Sequence, residues 1–252
     1  MKHKYMGLAL MTALVAIGAS PACGAEVVSK NVVGYKKLTL TAEAFKMTGI
    51  QFVNVGNEYG TLADLFAGTD IPYGTQLRFV NAAGSYDYIS YLEEAYDENT
   101  KDFVPGWADE DEYLVSDIKT TGTGFWVKAP ANYNLVQAGQ VQETASDSVT
   151  INLDANVFAM VINPFPAPFN PNEVTWTDLP YGAQIRVPNA SGSYDYYNYM
   201  EEAYDENTKD FLPGWADEDE YLVTGPIAEV GEGFWIRTSS AASVTFTSPL
   251  AN

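Results

Sequence analysis

A 32-residue segment, Gly84–Val115, recurs 108 residues downstream as Gly192–Val223 with 28 identical positions. Nothing else constrains the fold as strongly, because two stretches this alike adopt the same local structure and mark a repeated unit. The match runs backward through Pro72-Tyr73-Gly74 and Pro180-Tyr181-Gly182. After a one-residue insertion it runs forward to Gly122-Thr123-Gly124-Phe125-Trp126-Val127 and Gly231-Glu232-Gly233-Phe234-Trp235-Ile236. Further upstream, Leu40–Asn54 corresponds loosely to Leu153–Asn163. The expected organisation is a first domain over 26–130, a polar Gln-rich connector over 131–145, and a second domain over 146–252.

Period-two alternation marks strands at Lys37–Leu40, Gln76–Phe79, Val149–Leu153 and Ser243–Phe246, and in the Tyr-rich runs 86–91 and 194–199. Gly, Pro, Asn and Asp interrupt them at short intervals. One helical turn is expected at 61–66, with Thr61 as its cap. No βαβ alternation is present, so the reading is all-β: two tandem β-sandwich or small barrel-like domains related by duplication.

Residues 1–25 have the three-part layout of a secretory signal peptide. Lys2, His3 and Lys4 precede an apolar run from Met6 to Ala19 and a small-residue stretch ending at Ala25. The run is too short to span a bilayer, and cleavage is expected after Ala25. A lipoprotein alternative would make Cys23 the first residue, although Ser20 stands where such a signal wants Leu. The only His and the only Cys of the chain both lie in this leader. Triads, His- or Cys-ligated zinc, haem and iron–sulfur chemistry are therefore not expected of the mature protein. A secreted chain without disulfides must hold together by core burial alone.

The chain carries 13 Lys+Arg against 33 Asp+Glu, a formal charge of −20 that becomes −22 when Lys2 and Lys4 leave with the leader. Such a surface does not suit nucleic acid. The acids are concentrated. Windows 93–112 and 201–220 each hold nine acids and one Lys, so these windows carry −16 of the −22. Crowded like charges repel, and calcium, which takes six to eight oxygen ligands, is the ion that would relieve them. Its candidate ligands are Asp97, Asn99, Asp102, Asp109 and Asp111, repeated as Asp205, Asn207, Asp210, Asp217 and Asp219. The EF-hand template fails: Lys101 takes the fifth position, Asp102 the glycine position and Ala108 the twelfth. The competing reading makes Asp97–Lys101 a solvated hairpin turn, with Lys101 answering its acidic neighbours. No cofactor is required.

Aromatics are the second recurrent feature. Tyr91, Trp107, Tyr199 and Trp215, beside the carboxylates, are candidates for a sugar-stacking platform, or else core. Trp126 and Trp235, flanked by Phe and by Val or Ile, read as core. Paired carboxylates invite a glycosidase reading, but with 33 acids some pair always falls at the required separation. No phosphate-binding or dinucleotide fingerprint is present, since Gly122-Thr123-Gly124 precedes an apolar strand.

Val32-Val33-Gly34-Tyr35, Asn163-Pro164-Phe165-Pro166-Ala167-Pro168, Gly214-Trp215-Ala216-Asp217 and Gly231-Glu232-Gly233-Phe234-Trp235 together resemble a family of secreted tandem β-domain proteins. These occur in Verrucomicrobia- and Planctomycetes-type bacteria. The resemblance implies an all-β fold and an extracytoplasmic address, and assigns no catalytic residue. The expected function is a secreted, non-enzymatic structural or adhesive protein whose partners are other copies of itself or cell-envelope components. A calcium-assisted pair of carbohydrate-binding modules, with polysaccharide as the partner, is the alternative. No transmembrane anchor is expected. The apolar segment Glu26–Tyr35 is suited to pairing with a sheet edge.

Overall fold

The computed structural model describes residues 33–53, 62, 70–81, 83–115, 122–141 and 148–249. The leader, residues 26–32 and most of the expected helical turn lie outside these; of that turn only Leu62 is described, and it is buried. Eight strands come from the first copy: β1 (Val33–Leu40), β2 (Phe45–Thr48), β3 (Phe52–Val53), β4 (Gln76–Val80), β5 (Tyr86–Asp97), β6 (Asp102–Ala108), β7 (Phe125–Lys128) and β8 (Tyr133–Val141). Eight follow from the second: β9 (Ser148–Leu153), β10 (Phe158–Ile162), β11 (Thr175–Thr177), β12 (Gln184–Pro188), β13 (Tyr194–Asp205), β14 (Asp210–Ala216), β15 (Gly233–Arg237) and β16 (Ala242–Thr247). The all-β expectation holds.

Each copy stacks a five-stranded sheet on a three-stranded one. The five-stranded orders are β2-β7-β4-β5-β6 and β10-β15-β12-β13-β14, the same order twice. The three-stranded sheets, β1-β8-β3 and β11-β16-β9, share only the β1–β8 and β9–β16 pair. Every strand pairing is antiparallel, which lets one face of each sheet pack inward while the other meets water. The first core gathers Leu38, Leu40, Leu77, Trp107, Phe125 and Leu135. The second gathers Phe165, Phe169, Ile185, Trp215, Phe234 and Phe246, and its Phe169 and Phe234 rings stack 4.2 Å apart.

The connector expected over 131–145 is largely a strand. β8 pairs with β1 from Val33↔Gln140 to Leu40↔Tyr133. Its glutamines disguised a period-two strand in which Leu135, Gln137 and Val141 are buried. Buried Gln137 satisfies its amide locally: its Nε2 donates to the Gly49 carbonyl at 2.9 Å and its Oε1 accepts the Gln51 N–H at 3.4 Å.

The two copies share one compact unit from Asn31 onward. Phe52 and Val141 of the first copy are members of the second core. The contact is reciprocal, with each Gly-x-Gly turn receiving a methionine from the other copy. A Cβ on Gly124 would stand 2.9 Å from Met160 Cγ, and one on Gly233 would stand 2.6 Å from Met47 Cγ. Only a missing side chain permits so close an approach. The Gly-x-Gly-Phe-Trp motif is thus where the copies meet, in the manner of a self-complementary dimer interface.

The interface is not perfectly symmetric. Gly124 N–H donates to Met160 O at 3.0 Å, and Ile162 N–H donates to Gly122 O at 3.1 Å. At the counterpart, the Gly231 carbonyl is instead reached by side chains, Lys36 Nζ at 2.6 Å and Thr48 Oγ1 at 3.1 Å. Val149 occupies the place of Lys36 in the second copy, opposite Phe246 as Lys36 is opposite Gln137. A buried carbonyl must find a donor, and where the backbone does not supply one the sequence supplies a lysine.

Candidate functional site

The near-identical segments form the hairpins β5–β6 and β13–β14 at the outer ends of the five-stranded sheets. Each hairpin shifts register once, between Leu92 and Ala95 and between Met200 and Ala203, which twists its tip relative to its base. The tip is a tight turn. Asp97 Oδ1 accepts the Asn99 N–H at 2.8 Å, and Thr100 Oγ1 donates to Asp97 Oδ2 at 3.0 Å. Lys101 then takes φ of 63° and its N–H donates to Asp97 O. Asp205, Asn207, Thr208 and Lys209 repeat this arrangement. Those donors hold the Asp97 and Asp205 carboxyls below their ordinary range, the backbone N–H of Asn99 or Asn207 contributing most.

A second acidic turn follows β6. Asp109 Oδ1 accepts the N–H groups of Asp111 and Tyr113, and Glu112 closes the turn at φ of 65°. Asp217, Asp219, Glu220 and Tyr221 do the same. The chain then returns across the hairpin, Tyr96 donating its N–H to Glu112 O and accepting from Leu114 N–H. Leu114 passes directly over Gly106, and Leu222 over Gly214. A side chain at either glycine would meet the crossing leucine.

The ten proposed cation ligands thus divide between two turns per copy. Asp97, Asn99 and Asp102 belong to the tip, Asp109 and Asp111 to the second turn, with the same division in the second copy. Among the described residues no three His, Cys, Asp or Glu side chains converge as a metal-holding group.

Of the two readings open for Trp107 and Trp215 the core one holds, whereas Trp126 and Trp235 are not the core residues their flanks suggested. Trp107 and Trp215 are buried in the two cores and so are not a solvent-facing platform. Each packs on the half-buried Tyr91 or Tyr199, with ring centroids 5.3 and 5.6 Å apart. Trp126 and Trp235 are half-buried on the outer sheet face, because Phe125 and Val127, like Phe234 and Ile236, point inward and alternation turns the residue between them outward. There Arg78 lies 3.9 Å over the Phe45 ring, and Arg186 lies 4.2 Å over Phe158.

The rings that reach solvent are others. Tyr73 and Tyr181, 49% and 53% exposed, stack on Tyr91 and Tyr199 at 5.5 and 5.3 Å. Phe103 and Phe211, 64% and 65% exposed, lean on Tyr96 and Tyr204, which also meet the exposed Tyr113 and Tyr221 edge-on. Pro72-Tyr73-Gly74 and Pro180-Tyr181-Gly182, present in both copies, already pointed to the first pair. The second pair was legible only as a lone Phe beside Asp102 or Asp210. On the second copy the tyrosine pair borders an open groove of about 600 Å3 lined by Glu201, Glu202, Asp217, Glu218 and Glu220. Among the described residues no helix is long and apolar enough to cross a membrane. No protein family, curated protein or solved structure matches the chain.

Proposed function

We propose that this protein is a non-enzymatic structural or adhesive protein of the cell exterior, which presents one recognition face twice on a fused double sandwich. One observation carries the reading: the hairpins have kept 28 of 32 residues, with Phe103 and Phe211 turned to solvent, while the sheets behind them have diverged. Core packing does not demand an exposed ring, so contact made by that ring accounts for its presence in both copies. Large exposed rings suit contact with amphipathic surfaces, such as envelope components or the rings of further copies of the protein. Two equal faces on one body also raise avidity.

The hairpins favour side-chain contact over strand addition. Their outer strands β6 and β14 carry Pro105 and Pro213, which remove a donor from the sheet edge. The test is sedimentation and electron microscopy of the chain from Glu26 to Asn252. Filaments, sheets or concentration-dependent assemblies that disappear in the double variant Phe103→Ala/Phe211→Ala are expected. A monodisperse monomer that neither assembles nor cosediments with envelope material, with or without the rings, would refute the proposal.

A further inference from the structure

Where the copies meet, a second kind of site arises, remote in chemistry from the acidic hairpins. A groove of about 480 Å3 is walled by Phe158, Tyr194 and Trp235 of the second copy and closed by the turn at Ala83 and Gly84 of the first. Its volume lies within the roughly 300–1,000 Å3 of small-molecule sites. In a chain with 33 acids, none of its nine lining residues is acidic, and the one ionised side chain is Arg186.

The geometry of Arg186 is that of a held anion receptor. It sits between Trp235 and Tyr196 in the strand register. Its guanidinium lies over the Phe158 ring at 4.2 Å and the Tyr196 ring at 5.4 Å, and its Nε donates to Gln184 Oε1 at 2.7 Å. The two rings and the Gln184 hydrogen bond hold the cation in place, and its terminal nitrogens remain for a ligand. Among the described residues those terminal nitrogens have no acceptor, and the ion pair present is Lys128 with Glu43 elsewhere. The counterpart groove around Phe45 and Trp126 differs in its lining, which includes the acidic Glu232 together with Lys46.

We propose that the Arg186 groove binds a carboxylate carried on a sugar ring, a uronic-acid unit of an acidic oligosaccharide. The carboxylate sits on the guanidinium fork, the apolar face of the ring lies against Trp235, and Asn156 and the backbone at Gly84 meet hydroxyls. A cation without an acceptor on an aromatic wall, with the Arg237 guanidinium 5.6 Å over the same Phe158 ring, selects for negative charge, and the aromatic surface selects for a ring to stack on it. The first copy completes the groove, so the site exists only because the two copies are fused.

The probe is trigalacturonic acid, with neutral galactotriose as its control, titrated by calorimetry and by indole N–H shifts in 150 mM salt. Binding of the acidic trimer at least tenfold tighter than the neutral one is expected. Arg186→Gln should abolish the difference, whereas Arg78→Gln, on the first copy's outer face, should leave it intact. Ala83→Trp fills the groove from an exposed turn while leaving Arg186 in the sequence, and should also remove binding; thermal melts establish that each variant is folded. No binding at 10 mM, equal binding of the two trimers, or binding unchanged in both Arg186→Gln and Ala83→Trp would each overturn the assignment.

Discussion

Replacing Lys36 by Met should alter how stability depends on pH, and the structure gives the size of the change. Lys36 lies between the copies, its ammonium directed at Gly231 O and Thr48 Oγ1 rather than at a carboxylate. Burial is the main cause that lowers its pKa from 10.5 to about 8; nearby Lys46 lowers it further and Glu232 opposes the shift. Below pH 8 the lysine is charged in both the folded and unfolded states, and the folded protein bears the full cost of the buried charge. Between pH 8 and 10.5 the unfolded chain binds the extra proton, so stability rises with pH. The wild type should gain, relative to Lys36→Met, about 1 kcal/mol by pH 9 and about 2–3 kcal/mol by pH 10. Urea titrations of both proteins at pH 7, 8, 9 and 10 read this as a midpoint difference that shifts by about 1 M. The comparison cancels the general effect of rising negative charge, which both proteins share. Midpoints that run parallel across the four pH values would show that Lys36 carries no buried charge, and the account of the Gly231 contact would fall with it.

Three further outcomes follow from particular contacts. Trp107→Ala and Trp215→Ala should each cost about 3–5 kcal/mol in chemical denaturation, because both side chains are core, whereas Phe103→Ala should stay within about 0.5 kcal/mol. Gly231→Ala should destabilise severely, since φ there is 70° and the added methyl falls on Lys36 Nζ; Gly192→Ala, at φ of 79° in open space, should cost only the backbone strain of about 1–2 kcal/mol. Asp97 and Asp205 have depressed pKa values, so their contribution is present above the ordinary carboxylate range and is lost as pH falls through the folded values. The melting temperature of Asp97→Asn/Asp205→Asn should therefore decline less steeply between pH 5 and pH 2.5 than that of the wild type.

Local chemistry and repetition were readable in the sequence. The duplication, the all-β class, the two acidic windows and the Asp-Glu-Asn-Thr-Lys hairpin turn all rest on neighbours within a few residues, and the structure has each of these. Alternation predicts that side chains change faces but not which face is inside, so Trp126, expected in the core, turned outward once Phe125 and Val127 fixed the phase of β7. Composition likewise concealed β8, whose glutamines are polar but whose buried positions recur with period two.

Only the tertiary structure decided how the copies join. Gly124 and Gly233 look like turn residues until Met160 and Met47 arrive from the other copy, and Lys36 looks like a surface cation until Gly231 O lies beside it. The Arg186 groove is of the same kind, with walls that come from strands more than 70 residues from the turn that closes it. A sequence records its repeat faithfully because like segments fold alike. It does not record the contact between the repeats, because that contact depends on packing between residues far apart in the chain.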